Sequence, residues 1–127
     1  MTKPSRASSH ETILLVEDRE DVRTPLGEYL RRLGFTVLLA GDSSLALATA
    51  KEPGARIDVL LTDVNLPGIG GPDLAAAIRA LHPEVSVVLM SGSYPEATLR
   101  DRLHQLGAAF LQKPFRMEEL VELVKRR

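Results

Sequence analysis

Acidic residues and a lysine stand at the ends of several short apolar runs in this chain. Glu17 and Asp18 follow the first run, Asp63 follows the third with Asn65 two positions later, and Lys113 follows the fifth. If these carboxylates meet, each pair about 4 Å apart costs about 4 kcal/mol at an effective dielectric of roughly 20. Such a set therefore retains a proton or holds a cation, and oxygen ligands favour Mg²⁺ or Mn²⁺ over zinc.

The same residue types suit phosphoryl transfer onto a carboxylate. A carboxylate beside a bound divalent cation can attack phosphorus as a nucleophile, while a lysine and a hydroxyl stabilise the charge on the phosphoryl oxygens. Ser91 ends the fourth apolar run and offers that hydroxyl. Each residue alone is more often a turn or a helix cap. Their combination at the ends of four apolar runs is what favours phosphoryl transfer. The chain has no GKS or GKT phosphate loop, which disfavours a nucleotide-dependent P-loop enzyme.

Two kinds of segment alternate along the chain, and they predict the strands and helices that position these residues. Continuous, branched apolar runs are typical of strands buried on both faces; they cover residues 13–16, 35–39, 57–61, 85–90 and 108–111. Helical spacing of apolar residues lies between them, with Pro72 and Pro95 placed to start helices and Gly34 and Gly107 to end them. Pro25 falls inside the first helical stretch, where a proline removes a hydrogen bond.

Five strand–helix units predict an α/β fold with a parallel sheet. Right-handed crossovers favour a doubly wound, flavodoxin-like three-layer sandwich with strand order 2-1-3-4-5. Its switch point lies between the first and third strands, and ligands bind there at the carboxyl ends of the strands. That edge is where the acidic residues, Ser91 and Lys113 would meet.

Composition excludes several other classes of protein. The 127 residues include no cysteine and carry a formal net charge of −1, with 4% aromatics. A disulfide scaffold and a thiol nucleophile are excluded, and neither direct nucleic-acid nor direct membrane binding is indicated. We expect a cytoplasmic protein, with a flexible polar leader over residues 1–11 and one domain over residues 12–127.

The motifs together resemble a known family. ILLVEDRED, LLTDVNLPGIGG, VVLMSGS and GAAFLQKPF are similar to the receiver (response-regulator) domain of bacterial two-component signalling. The resemblance extends from about Thr12 to the end of the chain. The MSG and FLQKPF segments are especially similar to receivers of hybrid sensor histidine kinases.

The resemblance implies a phosphoacceptor and a metal site. Asp63 would accept the phosphoryl group from a phosphohistidine. Glu17 and Asp18 would position Mg²⁺ (or Mn²⁺) together with Asp63, and Asn65 would contribute its backbone carbonyl. Glu17 stands where the family more often has Asp.

The resemblance also implies a switch. Ser91 and Lys113 would complete the catalytic set with Asp63 by binding the phosphoryl oxygens, and Phe110 would change its packing when Ser91 is recruited. The Lys113–Pro114 peptide would be cis. The fourth helix, fifth strand and fifth helix would form the face that reports phosphorylation.

The expected function is therefore a signalling module that catalyses only its own phosphorylation and dephosphorylation. The implied partners are a histidine kinase or histidine phosphotransfer domain, and a downstream effector or the parent chain; a phosphorylation-dependent homodimer is also open. Two alternatives remain. One is a degenerate receiver that only docks, for which Glu17 and Gly92 (where Ala is commoner) leave room. The other is a haloacid-dehalogenase-type phosphatase, although such enzymes usually carry the nucleophile on the first strand.

Overall fold

The computed structural model describes residues 11–125, in which strands and helices alternate. The strands are β1 (Thr12–Val16), β2 (Thr36–Ala40), β3 (Val59–Asp63), β4 (Ser86–Ser91) and β5 (Ala109–Gln112). The helices are α1 (Glu20–Arg32), α2 (Ser43–Lys51), α3 (Gly71–Leu81), α4 (Glu96–Leu106) and α5 (Met117–Lys125). The leader predicted over residues 1–11 lies outside the described residues except for Glu11.

The strands form one parallel sheet in the order β2-β1-β3-β4-β5, which confirms the predicted topology. Two apolar clusters cover its faces. One packs α2, α3 and α4 against the sheet, and the other packs α1 and α5 against the opposite face. All five residues of β1 are buried, as a strand covered on both faces requires. The fold is therefore the predicted three-layer sandwich.

Helix ends follow the expected local chemistry. Pro72 lies in the first turn of α3 and Pro95 directly precedes α4. Gly34 and Gly107 have positive φ angles of 103° and 58° where α1 and α4 end, a conformation that glycine adopts without strain. Pro25 lies inside α1. Apart from Pro25, these glycines and prolines mark the connections that separate strands from helices.

One strand is displaced from its apolar run by two residues, whereas the other four lie within one residue of theirs. The run 57–61 predicts the third strand, but β3 covers Val59–Asp63. The ladder with β4 continues through two polar residues, since Thr62 pairs with Leu89 and Asp63 with Met90. Hydrophobicity marks burial rather than backbone pairing, so it misses this polar end of the strand. The pairing places Asp63 at the edge of the sheet.

Candidate functional site

The carboxyl ends of β1 and β3 bring three acidic residues together. Val16 pairs with Thr62, so Glu17, Asp18 and Asp63 leave neighbouring strands at the same level. One carboxylate oxygen from each lies within 4.8 Å of the others. Glu17 is fully buried, Asp63 is half-buried and Asp18 is exposed. An anionic cluster thus opens to solvent on the side of Asp18.

Lys113 reaches this cluster from the end of β5. Its Nζ donates to Glu17 Oε1 and to Asp63 Oδ2, both at 2.8 Å. Its backbone N–H donates to the Ser91 carbonyl at 2.8 Å, which ties the residue to β4. The peptide bond between Lys113 and Pro114 is cis. One ammonium therefore bridges two of the three carboxylates.

Burial and charge oppose one another at this ion pair. Burial raises the pKa of Glu17, which the hydrogen bonds from Lys113 and from the Arg19 amide only partly offset. Burial lowers the pKa of Lys113, but the hydrogen bonds and charges of Asp63 and Glu17 outweigh it, so that pKa is raised above its ordinary value. The lysine therefore remains an ammonium. Its contact with Glu17 offsets only part of the free energy that burying the Glu17 carboxylate costs.

Glu17 is fixed from several sides. Its Oε2 accepts from the Arg19 N–H at 3.2 Å, and its backbone carbonyl accepts from Arg23 Nη1 at 2.7 Å. Its own N–H donates to the Ala40 carbonyl of β2 at 3.1 Å. Glu17 thus has a partner on both carboxylate oxygens, and α1 is anchored to the end of β1 through Arg23. Sequence reasoning did not identify Arg23, which carries no motif of its own.

Ser91 and Phe110 lie on the two strands beyond β3. Ser91 is fully buried, and its Oγ accepts from the N–H groups of Ser93 at 3.2 Å and Tyr94 at 2.9 Å. The hydroxyl therefore holds the start of the β4–α4 loop. Phe110 on β5 is half-buried against the cluster that α4 also contacts. In the ladder between β4 and β5, Ser91 pairs with Gln112 and Phe110 pairs with Leu89.

The loop between β3 and α3 (residues 64–70) carries Asn65. The N–H of Asn65 donates to Asp63 Oδ1 at 3.3 Å, and Asn65 is exposed.

Gly71, the first residue of α3, was missed by sequence reasoning, although the pair of glycines before Pro72 was a signal. A Cβ on Gly71 would lie 2.2 Å from the Asp63 carbonyl oxygen. The backbone of α3 therefore lies so close to the backbone of Asp63 that only glycine fits at position 71.

The donor set fits a hard divalent cation. Glu17, Asp18 and Asp63 offer only oxygen, and Asp18 faces solvent, which leaves room for water ligands. Lys113 neutralises part of the cluster's charge but not all of it. These residues match the all-oxygen, partly hydrated sites that Mg²⁺ and Mn²⁺ occupy.

Lys113→Met is expected to destabilise the protein by about 2–4 kcal/mol, because the buried Glu17 carboxylate loses its counter-ion. Urea unfolding measures the change in the free energy of unfolding. Lys51→Met is the matched control, since Lys51 is exposed in the last turn of α2, and we expect less than about 0.5 kcal/mol there. Equal losses in the two variants would contradict this account of the ion pair.

Comparisons with known proteins agree with this geometry. The family model described as "Response regulator receiver domain" matches residues 13–125. The chain is 33% identical to the sensor kinase CckA of Brucella abortus over 97% of its own length, and 36% identical to the transcriptional regulatory protein PrrA of Mycobacterium bovis over 89%. It spans only 13% of that kinase and 48% of that regulator.

Solved structures give the same result. The chemotaxis response regulator CheY4 of Vibrio cholerae superimposes with a TM-score of 0.81 at 28% identity, covering 92% of this chain and 98% of CheY4. The receiver domain of the hybrid histidine kinase CckA superimposes with a TM-score of 0.76 at 36% identity, covering 91% and 96%.

The chain belongs to the response regulator receiver domain family of two-component systems. Domains of this family are signalling modules that interact with histidine kinases and effector domains, and they bind Mg²⁺ through acidic residues. Within residues 11–125, no helix is long and apolar enough to span a membrane.

Proposed function

We propose that this domain accepts a phosphoryl group on Asp63 from a histidine kinase or a histidine phosphotransfer domain. The observation that carries the proposal is the contact of Asp63 Oδ2 with Lys113 Nζ at 2.8 Å inside the cluster of Glu17, Asp18 and Asp63. A partly solvated carboxylate beside a fixed cation and two further acidic groups suits metal-assisted attack on phosphorus.

The residues have separate tasks in the transfer. Asp63 attacks phosphorus, an oxygen–phosphorus bond forms, and the nitrogen–phosphorus bond to the donor imidazole breaks, leaving the imidazole with the electron pair. Glu17, Asp18, Asp63 and the Asn65 carbonyl would hold Mg²⁺. When bound, the ion supplies charge neutralisation for the phosphoryl oxygens and the acidic cluster. Lys113 is already directed at Asp63 and would pair with a phosphoryl oxygen.

Ser91 supports the proposed readout. Its buried hydroxyl accepts from the Ser93 and Tyr94 amides, so turning toward a phosphoryl group would release the start of the β4–α4 loop. Phe110 would then repack, and the face formed by α4, β5 and α5 would change shape. This is a shift between two populations of conformers biased by one added charged group.

The proposed setting is a cytoplasmic phosphorelay. The switched face would signal to a downstream protein or to the parent chain, or would pair two phosphorylated copies. Because the phosphoryl group stays on one aspartate, the domain acts as a signalling module and turns over no external small molecule. It signals through proteins and makes no direct contact with nucleic acid or a membrane.

The test is phosphorylation with acetyl phosphate and Mg²⁺, read by mass spectrometry. We expect one added phosphoryl group, located on the peptide that contains Asp63, and none when EDTA removes the metal. A protein that binds Mg²⁺ but never takes up the label would be a docking module. Steady release of phosphate from a generic phosphomonoester would instead indicate a phosphatase of the haloacid-dehalogenase type.

A further inference from the structure

The tip of the β3–α3 loop is held by a side chain that lies outside the acidic cluster. Ser43 Oγ donates to the Pro67 carbonyl at 3.3 Å, linking α2 to a segment 24 residues further along the chain. Within residues 11–125, this is the only hydrogen bond that joins residues 66–69 to another element. The tip therefore depends on Ser43 for its polar attachment.

Ser43 is well placed to hold this loop. It is 4% exposed, one of the few polar residues buried in the described chain. It is the first residue of α2, and the Asp42 carboxylate fixes that helix start by accepting from the Leu45 N–H at 2.7 Å. The hydroxyl is thus presented from a rigid element, and its direction is set by a capped helix.

The loop is shaped to receive the hydroxyl. Gly68 has a φ of +85°, and a Cβ on it would lie 3.1 Å from Ser43 Oγ. The turn at Pro67 and Gly68 therefore lies directly against Ser43, and any larger residue at position 68 would meet both backbone strain and this contact.

The base of the loop has its own attachments. The Val64 N–H donates to the Met90 carbonyl of β4, and the Gly71 N–H donates to the Val64 carbonyl, both at 2.8 Å. Asn65 lies between this fixed base and the tip held by Ser43. A backbone carbonyl binds a metal ion more tightly when the loop that carries it is already in shape, because binding then costs no ordering of the loop.

We propose that Ser43 is a positioning residue for the metal site: its hydroxyl holds the β3–α3 loop in the shape that lets the Asn65 carbonyl join the acidic cluster around Mg²⁺. This rests on the proposed function for the identity of the ion. It adds a role for a residue on α2, an element that contributes no ligand itself.

The experiment compares Ser43→Ala with Ser44→Ala in the full chain. Ser44 is the exposed neighbour on the same helix and makes an equivalent change in helix propensity. Calorimetric titration with Mg²⁺ alone measures the affinity of the folded protein. We expect about fivefold weaker binding for Ser43→Ala, the equivalent of one lost hydrogen bond, and unchanged binding for Ser44→Ala.

Amide hydrogen exchange supplies the readout that a general loss of stability would not produce. In Ser43→Ala, the Asn65 and Gly71 amides, which donate to Asp63 Oδ1 and to the Val64 carbonyl, should exchange about fivefold faster. Amides in the centre of β3, such as those of Leu60 and Leu61, should keep wild-type rates. Wild-type Mg²⁺ affinity in Ser43→Ala overturns the proposal, and so does weaker binding with no local change in exchange.

The outcome is separable from that of the proposed function. If the wild-type chain binds Mg²⁺ yet never phosphorylates, the proposed function fails, while the comparison of Ser43→Ala with Ser44→Ala still decides the role of Ser43. A wild-type chain that does not bind Mg²⁺ overturns both.

Discussion

Asp63→Asn is expected to take up no phosphoryl group from acetyl phosphate and Mg²⁺, a loss of at least about 100-fold in labelling rate. The carboxamide has the shape of the carboxylate but not its nucleophilic anionic oxygen, so no oxygen–phosphorus bond forms. Intact-protein mass spectrometry after a fixed incubation measures the labelled fraction. Asp101→Asn, an exposed change on α4, is the matched control and should label as the wild type does.

The same variant should remain folded, which makes its loss of labelling a chemical result. Lys113 keeps its 2.8 Å contact with Glu17, and removing the Asp63 charge relieves repulsion within the acidic cluster. We therefore expect the free energy of unfolding to change by no more than about 1 kcal/mol. Labelling that persists in Asp63→Asn would show that another residue is the acceptor.

The fold and the meeting of the acidic residues could be predicted because both follow from simple periodic signals. Five apolar runs separated by helical spacing define a parallel sheet, and parallel strands end at one edge. Glu17, Asp63 and Lys113 are up to 96 residues apart, yet each directly follows a strand or ends it. Strand position alone therefore brings them together.

The contacts that hold the loops could not be predicted in this way. The Ser43–Pro67 hydrogen bond and the Arg23–Glu17 contact join segments whose relative position depends on how α2 and α1 pack. Neither contact leaves a pattern in the local sequence, because a single hydrogen bond has no period. The polar end of β3 lies outside its apolar run for a different reason, since backbone pairing there is independent of side-chain hydrophobicity.

Gly71→Ala is expected to destabilise the protein by about 2–3 kcal/mol. The new Cβ would lie 2.2 Å from the Asp63 carbonyl oxygen and 3.0 Å from the Val64 Cα, and backbone atoms cannot rotate away as a side chain would. The gain in helix propensity from glycine to alanine, about 1 kcal/mol in a helix interior, is smaller than this clash. Urea unfolding measures the difference from wild type.

Gly92→Ala gives the matched comparison near the same site. A Cβ there meets its nearest atom, Lys113 Cβ, at 3.5 Å, an ordinary van der Waals contact, so we expect less than about 0.5 kcal/mol. Equal stabilities for the two variants would show that α3 can withdraw from β3 at little cost. If Gly71→Ala alone loses stability and also labels more slowly, the close approach of α3 fixes the backbone of Asp63, and the position of the nucleophile depends on a residue with no side chain.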